Sequence, residues 1–192
     1  MTLLLLGLAI FLGVHSIRIV ADASRTAVIA RIGAGSWKAV YSLLSIAGFV
    51  LLVIGYGAAR EAPVVLYAPP AWARHLAALL TMPAFVLLAA AYVPGNGIKR
   101  AVGHPMVAGV KLWALAHLMA NGTLADVVLF GGFLLWAVAS FTAARRRDRA
   151  AGTPRPAGSG ARTAIAVVVG LLAWAAFAFA LHRPLIGVGP FG

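Results

Sequence analysis

The sequence predicts an all-α, polytopic transmembrane helical bundle of about six helices. Three observations carry that prediction. Hydrophobic residues make up 62% of the chain and charged residues only 10%, where soluble domains carry roughly 25% charged residues. Long apolar runs recur from end to end, and basic residues collect in alternate connections between them. Most of the chain must therefore lie in lipid.

A helix rising 1.5 Å per residue needs about 20 apolar residues to cross a ~30 Å hydrocarbon core. Runs of that kind are expected at about Leu3 to Val20, Trp37 to Ala58, Leu76 to Val93, Met106 to Ala120, Leu124 to Thr142 and Thr163 to Leu181. The fourth is short, and only Asn121-Gly122-Thr123 separates it from the fifth, so these two form a tight hairpin. A cleaved signal peptide over residues 1–23 is disfavoured. No basic residue precedes the first apolar run, and Arg18 follows it, the reverse of the usual order.

The net charge of +12, from 16 Lys and Arg against 4 acids, would suggest nucleic acid in a soluble chain. Here its distribution explains it otherwise, and no nucleic-acid partner is expected. Arg18, Arg25, Arg31 and Lys38 follow the first run, Lys99, Arg100 and Lys111 lie near the third connection, and Arg145, Arg146, Arg147, Arg149, Arg155 and Arg162 follow the fifth. The intervening connections hold only Arg60 and Arg74, then none, and Arg183 follows the last run. By the positive-inside rule the rich connections face the cytoplasm and both termini face outward. Six spans fit that parity.

Residues 143–162 read as a flexible basic cytoplasmic loop, because the arginines run into Gly152, Pro154, Pro156, Gly158, Ser159 and Gly160. The remaining chain reads as a single domain, residues 1–192. Pro83 is expected to kink the third helix or mark a packing contact. Gly48, Gly55, Gly57, Ala77, Ala78, Ala84, Ala175 and Ala176 would let helix backbones approach closely.

Ionisable groups in hydrocarbon are costly, so each is a functional candidate. His15 lies roughly 18 Å into the first helix and His117 roughly 18 Å into the fourth, from opposite faces. His75, His104 and His182 fall near helix ends instead. A neutral imidazole with a free ring nitrogen is an axial ligand for haem iron, and bundles place such ligands on facing helices. With no cysteine in the chain, thiolate metal sites and disulfides are excluded, and haem fits the two deep histidines better than zinc or a di-metal centre.

Arg18 follows His15 by about one turn, where a propionate would be met, and Trp113, Ala114, Ala120 and Asn121 surround His117 with an aromatic wall and small side chains. A second account stands beside this one. His15 can be a packed histidine bonded to backbone or to Ser16, and His117 can bond Asn121 or a helix carbonyl. His104 before Pro105 reads as a helix-start residue, His182 as interfacial, and Trp37, Tyr41, Trp72, Tyr92, Trp136 and Trp174 as belt or packing aromatics. Asp22, Glu61, Asp126 and Asp148 fall in or near four separate connections, which argues against paired-carboxylate hydrolysis.

Gly13-Val14-His15-Ser16-Ile17-Arg18, Ala68-Pro69-Pro70-Ala71-Trp72-Ala73-Arg74-His75, Pro94-Gly95-Asn96, His104-Pro105-Met106, Leu112-Trp113-Ala114-Leu115-Ala116-His117-Leu118, Asn121-Gly122 and Leu181-His182-Arg183-Pro184-Leu185-Ile186-Gly187-Val188 together resemble the NnrU family of bacterial membrane proteins. The resemblance covers almost the whole chain. It implies a multi-pass protein of the bacterial inner membrane, linked to nitric oxide metabolism and denitrification and related to the zeta-carotene isomerase of plants and cyanobacteria. That relative carries haem b, and its ligand motifs match His15 and His117 here. It also carries a cysteine at the position of Ala114, so a cysteine-based ligand exchange is not available to this chain. Thr123 stands where an acidic residue commonly follows Asn-Gly in the family.

Three functions follow as expectations. One is a bis-His haem b protein for electron transfer or gas sensing, with Arg18, Trp113, Ala114 and Asn121 near the cofactor and His104, Lys111 and His182 as further motif residues. The second is an isomerase of a polyene or other apolar lipid. The third is a non-catalytic assembly factor that contacts denitrification or redox proteins.

Overall fold

The computed structural model describes residues 1–155 and 157–191; Pro156, placed above in the basic loop, and Gly192 lie outside them. The chain forms α1 (Thr2–Val20), α2 (Asp22–Glu61), α3 (Trp72–Tyr92), α4 (Gly97–Val102), α5 (Pro105–Ala120), α6 (Leu124–Ala150) and α7 (Gly160–Ala176), with a π-helical turn (Phe177–Leu181) leading into α8 (His182–Ile186). Among the described residues, five helices are long and apolar enough to cross a membrane: α1, α2, α3, α6 and the continuous stretch Gly160–Ile186. The fourth expected run is α5, whose 16 residues extend about 24 Å, short of a ~30 Å core. Large apolar side chains such as Leu43, Leu79, Leu135 and Leu172 are exposed, as lipid-facing residues of such a bundle must be.

Two expectations are corrected. The stretch before Trp37 is helical: α2 begins at Asp22 and is interrupted at Gly33, whose φ of 81° and ψ of 156° divide it into two segments. Only glycine adopts that backbone without strain. Residues 143–150 belong to α6, and Gly160 already starts α7, so the connection between the spans is shorter than the composition implied. Its arginines extend the helix instead of ending it, because Ala143, Ala144 and the arginines are strong helix formers. Its far end is also tied down, with Ser159 N donating to Gly95 O at 2.9 Å and Gly97 N to Thr163 Oγ1 at 2.7 Å. Pro83 lies within α3, which continues on both sides of it.

The helices pack in the spatial order α2, α1, α6, α5, α3, α7, so that α6 lies between α1 and α5. Small residues set the closeness of these contacts. A Cβ on Gly7 would come within 2.5 Å of Leu52 N, and one on Gly170 within 2.5 Å of Val86 Cα, so α1 meets α2 and α7 meets α3 backbone to backbone. The two ends of the row approach each other at one place, where Arg60 Nη1 donates to Ile186 O at 2.7 Å. The row is therefore curved, with α1 and α5 flanking α6.

Candidate functional site

His15 sits on α1 and His117 on α5, and both turn toward α6. The His15 ring is stacked on Phe11 with centroids 4.3 Å apart, lies 5.3 Å from Tyr41 of α2, and is edge-on to Trp136 of α6 at 6.0 Å. The His117 ring lies 4.7 Å from Phe130 of α6 and 5.1 Å from Trp113. Phe133 occupies the space between, 5.8 Å from Phe11 and 5.5 Å from Trp113. A continuous aromatic face thus connects the two histidines across α6.

Both imidazoles are anchored in the same way. His15 Nδ1 lies 2.6 Å from Phe11 O, and His117 Nδ1 lies 2.8 Å from Trp113 O, each one helical turn back. A carbonyl only accepts, so Nδ1 carries the proton and a neutral ring keeps its lone pair on Nε2. Neither Nε2 has a hydrogen-bond partner among the described residues. Helix-carbonyl bonding, set out above as the structural account, is thus observed, yet it leaves the metal-binding nitrogen of both rings free. The same Nδ1 anchoring orients histidine ligands at metal sites. Neither Ser16 nor the Asn121 side chain bonds a ring; Asn121 Nδ2 donates to His117 O at 2.9 Å.

The donor set suits haem, and one more group suits an added ligand: Trp136 Nε1, beside His15, is buried with no acceptor. The heights suit a single shared iron less well. On α6 the residues touched, Phe130 by His117 and Trp136 by His15, lie about 9 Å apart along the axis. Phe133 and Trp113 stand along the aromatic face between the two imidazole rings.

The other expected site residues divide. Trp113 belongs to the aromatic face, and Ala114, 0% exposed, is packed beside it. Asn121 caps α5, its carbonyl accepting from Tyr67 Oη at 2.6 Å. Arg18 is turned outward, its Nε 3.8 Å from Asp22 Oδ1, so it does not join His15. His104 caps the start of α5, the end opposite His117, and Lys111 lies near the middle of the helix. His104 Nε2 is 3.0 Å from Asp148 Oδ2, and Lys111 Nζ stands 3.7 Å over the Phe141 ring. His182 Nδ1 is held 2.7 Å from Val188 O at the end of the last span.

Sequence reasoning passed over Phe130, Phe133 and Asp126. Asp126 is 5% exposed and accepts from Tyr56 Oη at 2.6 Å, Thr123 N at 2.9 Å and Thr123 Oγ1 at 2.7 Å. It completes a capping box at the start of α6, and the spacing Thr123-x-x-Asp126 was legible as one. A charge at this helix start is stabilised by the unpaired N–H groups there. Tyr56 in turn meets Phe130 edge-on at 6.3 Å, which closes that end of the aromatic face.

Fold and site together define a class: a multi-pass helical membrane protein carrying two anchored, unpartnered imidazoles on an aromatic face inside the bundle. Residues 3–190 match the family described as NnrU protein. The chain belongs to that family. No curated protein and no solved structure matches it.

Proposed function

We propose that the protein binds haem b on the aromatic face of α6, with His15 and His117 as iron ligands, and serves electron transfer or gas sensing linked to nitric oxide metabolism. The observation that carries this reading is the pair of Nδ1 contacts to Phe11 O and Trp113 O, which leaves both Nε2 lone pairs unpartnered. An unused basic nitrogen in an apolar interior has a cost, and a metal offsets it. The family resemblance selects the same two residues.

Haem iron would supply one-electron chemistry or a position for a gas. The chain's own residues supply the rest: Phe11 and Phe130, packed against the two imidazoles, give apolar surface that excludes water, and the Trp136 N–H offers a donor to whatever polar group settles beside His15. For both histidines to reach one iron, Phe133 and Trp113 must turn aside. The same apolar surface favours a second reading, an isomerase acting on a polyene held along α6. Conversion of a cis-polyene by the purified protein, followed by product analysis, separates the two.

The test is the visible spectrum of the purified protein, oxidised and dithionite-reduced, with a pyridine haemochrome assay. A six-coordinate low-spin b-type spectrum, disturbed by His15→Ala and by His117→Ala alike, is expected. Colourless protein that also fails to take up added haem would overturn the proposal.

A further inference from the structure

A second group of polar side chains lies around the first half of α5 and has no part in the reading above. Here the end of α4 faces the C-terminal half of α6, bridged by Arg145 Nη1 to Val102 O. A cleft of about 390 Å³ is lined by Ala101, Val102, Phe141, Thr142, Arg145 and Arg149. Phe141 is its hub. Lys111 Nζ stands 3.7 Å over the Phe141 ring, and His104 meets the same ring edge-on at 6.2 Å.

The charges around this cleft are poorly balanced. Among the described residues, ion pairs within 4.0 Å join Arg18 and Arg25 to Asp22, and His104 to Asp148. Asp148, the one acid here, is thus engaged by His104. Arg145 Nη1 reaches Val102 O at 3.5 Å, and Arg155 Nη1 reaches Arg100 O and Ala101 O at 3.4 and 3.2 Å. Those contacts cap the last carbonyls of α4 without neutralising either guanidinium. The side chains of Lys111 and Arg149 have neither a carboxylate partner nor a hydrogen bond among the described residues.

Lys111 is the decisive residue. It lies within an apolar helix, half-buried, where an ammonium is costly. A long side chain near a helix end normally snorkels to the membrane surface; this one is directed onto the ring that lines the cleft.

We propose that the cleft binds the phosphate of an anionic phospholipid headgroup, held by Arg145 and Arg149, with Lys111 adding its charge at the Phe141 ring. The lining argues for lipid over free phosphate: Ala101, Val102 and Phe141 are apolar and share the cleft with Arg145 and Arg149, the pairing that an acyl-bearing headgroup requires and a free phosphate does not. The basic connections of this end, cytoplasmic by the positive-inside rule, face the leaflet whose anionic lipids attract Lys and Arg.

Native mass spectrometry of the full chain in detergent, titrated with phosphatidylglycerol, phosphatidylcholine or inorganic phosphate, tests this. Phosphatidylglycerol adducts are expected to form preferentially, and to weaken about fivefold for each of Lys111→Met and Arg149→Gln. Arg31→Gln, a basic residue away from the cleft, should leave them unchanged. Retained helical circular dichroism keeps the variants interpretable. The proposal is overturned by any of three results: equal binding of phosphatidylcholine, loss in Arg31→Gln as large as in Lys111→Met, or displacement of the lipid by millimolar inorganic phosphate.

Discussion

The hydroxyl of Tyr56 and the carboxylate of Asp126 lie 2.6 Å apart, joining α2 to the first turn of α6. Asp126 is buried, so its charge depends on this donor and on the two that Thr123 provides. Tyr56→Phe removes one charge-assisted bond while keeping the ring on Phe130. A loss of about 1.5–3 kcal/mol is expected, seen as a lower unfolding temperature in detergent. Asp126→Asn should cost at least as much, since it removes the charge from the helix start as well. Equal melting of wild type and Tyr56→Phe would mean that the contact contributes nothing net.

The α1–α2 contact makes a contrast between two glycines. A Cβ at Gly7 would press on the backbone of Leu52, whereas Gly57 has open space around it. Gly7→Ala is expected to destabilise by about 1–3 kcal/mol through overpacking, with Gly57→Ala neutral or stabilising by up to about 1 kcal/mol through helix propensity. Thermal unfolding of the two variants side by side checks the difference. If both shift alike, the close backbone approach of α1 and α2 is not what Gly7 provides.

Phe133 stands between the two histidines, in contact with Phe11 and Trp113. Phe133→Ala should lower the stability of the haem-free protein by about 3 kcal/mol, the cost of a large side chain removed from a packed site. It should also raise the six-coordinate low-spin fraction after haem addition, because the space between the imidazoles is cleared, and bound haem should restore part of the lost stability. Titration of the apo protein with haem, read by visible spectra and melting temperature, checks both. A variant that loses haem affinity would show that Phe133 is a wall of the site and not an occupant of it.

Much was legible in the chain before any packing was known. The apolar runs have the length of a membrane span, and length and polarity act locally, so α1, α3 and the last span fall close to where composition puts them. His15 and His117 stand out for the same reason: an ionisable side chain within an apolar run is visible without knowing its neighbours. The error at residues 143–150 was also local, since arginines and turn residues farther on read as one loop although the first part satisfies helix propensity. Asp126 was set aside as a loop acid because its partner, Tyr56, is distant in sequence and only packing brings the two together.

What the sequence by itself determined is that this is a multi-pass helical membrane protein with two histidines within its apolar helices, because burial in lipid constrains each segment independently of the others. What the tertiary structure decided is which helices meet. That α6 separates α1 from α5, that Phe133 fills the gap between the imidazoles, and that Lys111 turns to Phe141 all depend on side-chain packing between distant segments. In a bilayer that packing is set by the shapes of the helix faces, since every candidate face is apolar and hydrophobicity alone cannot choose among them.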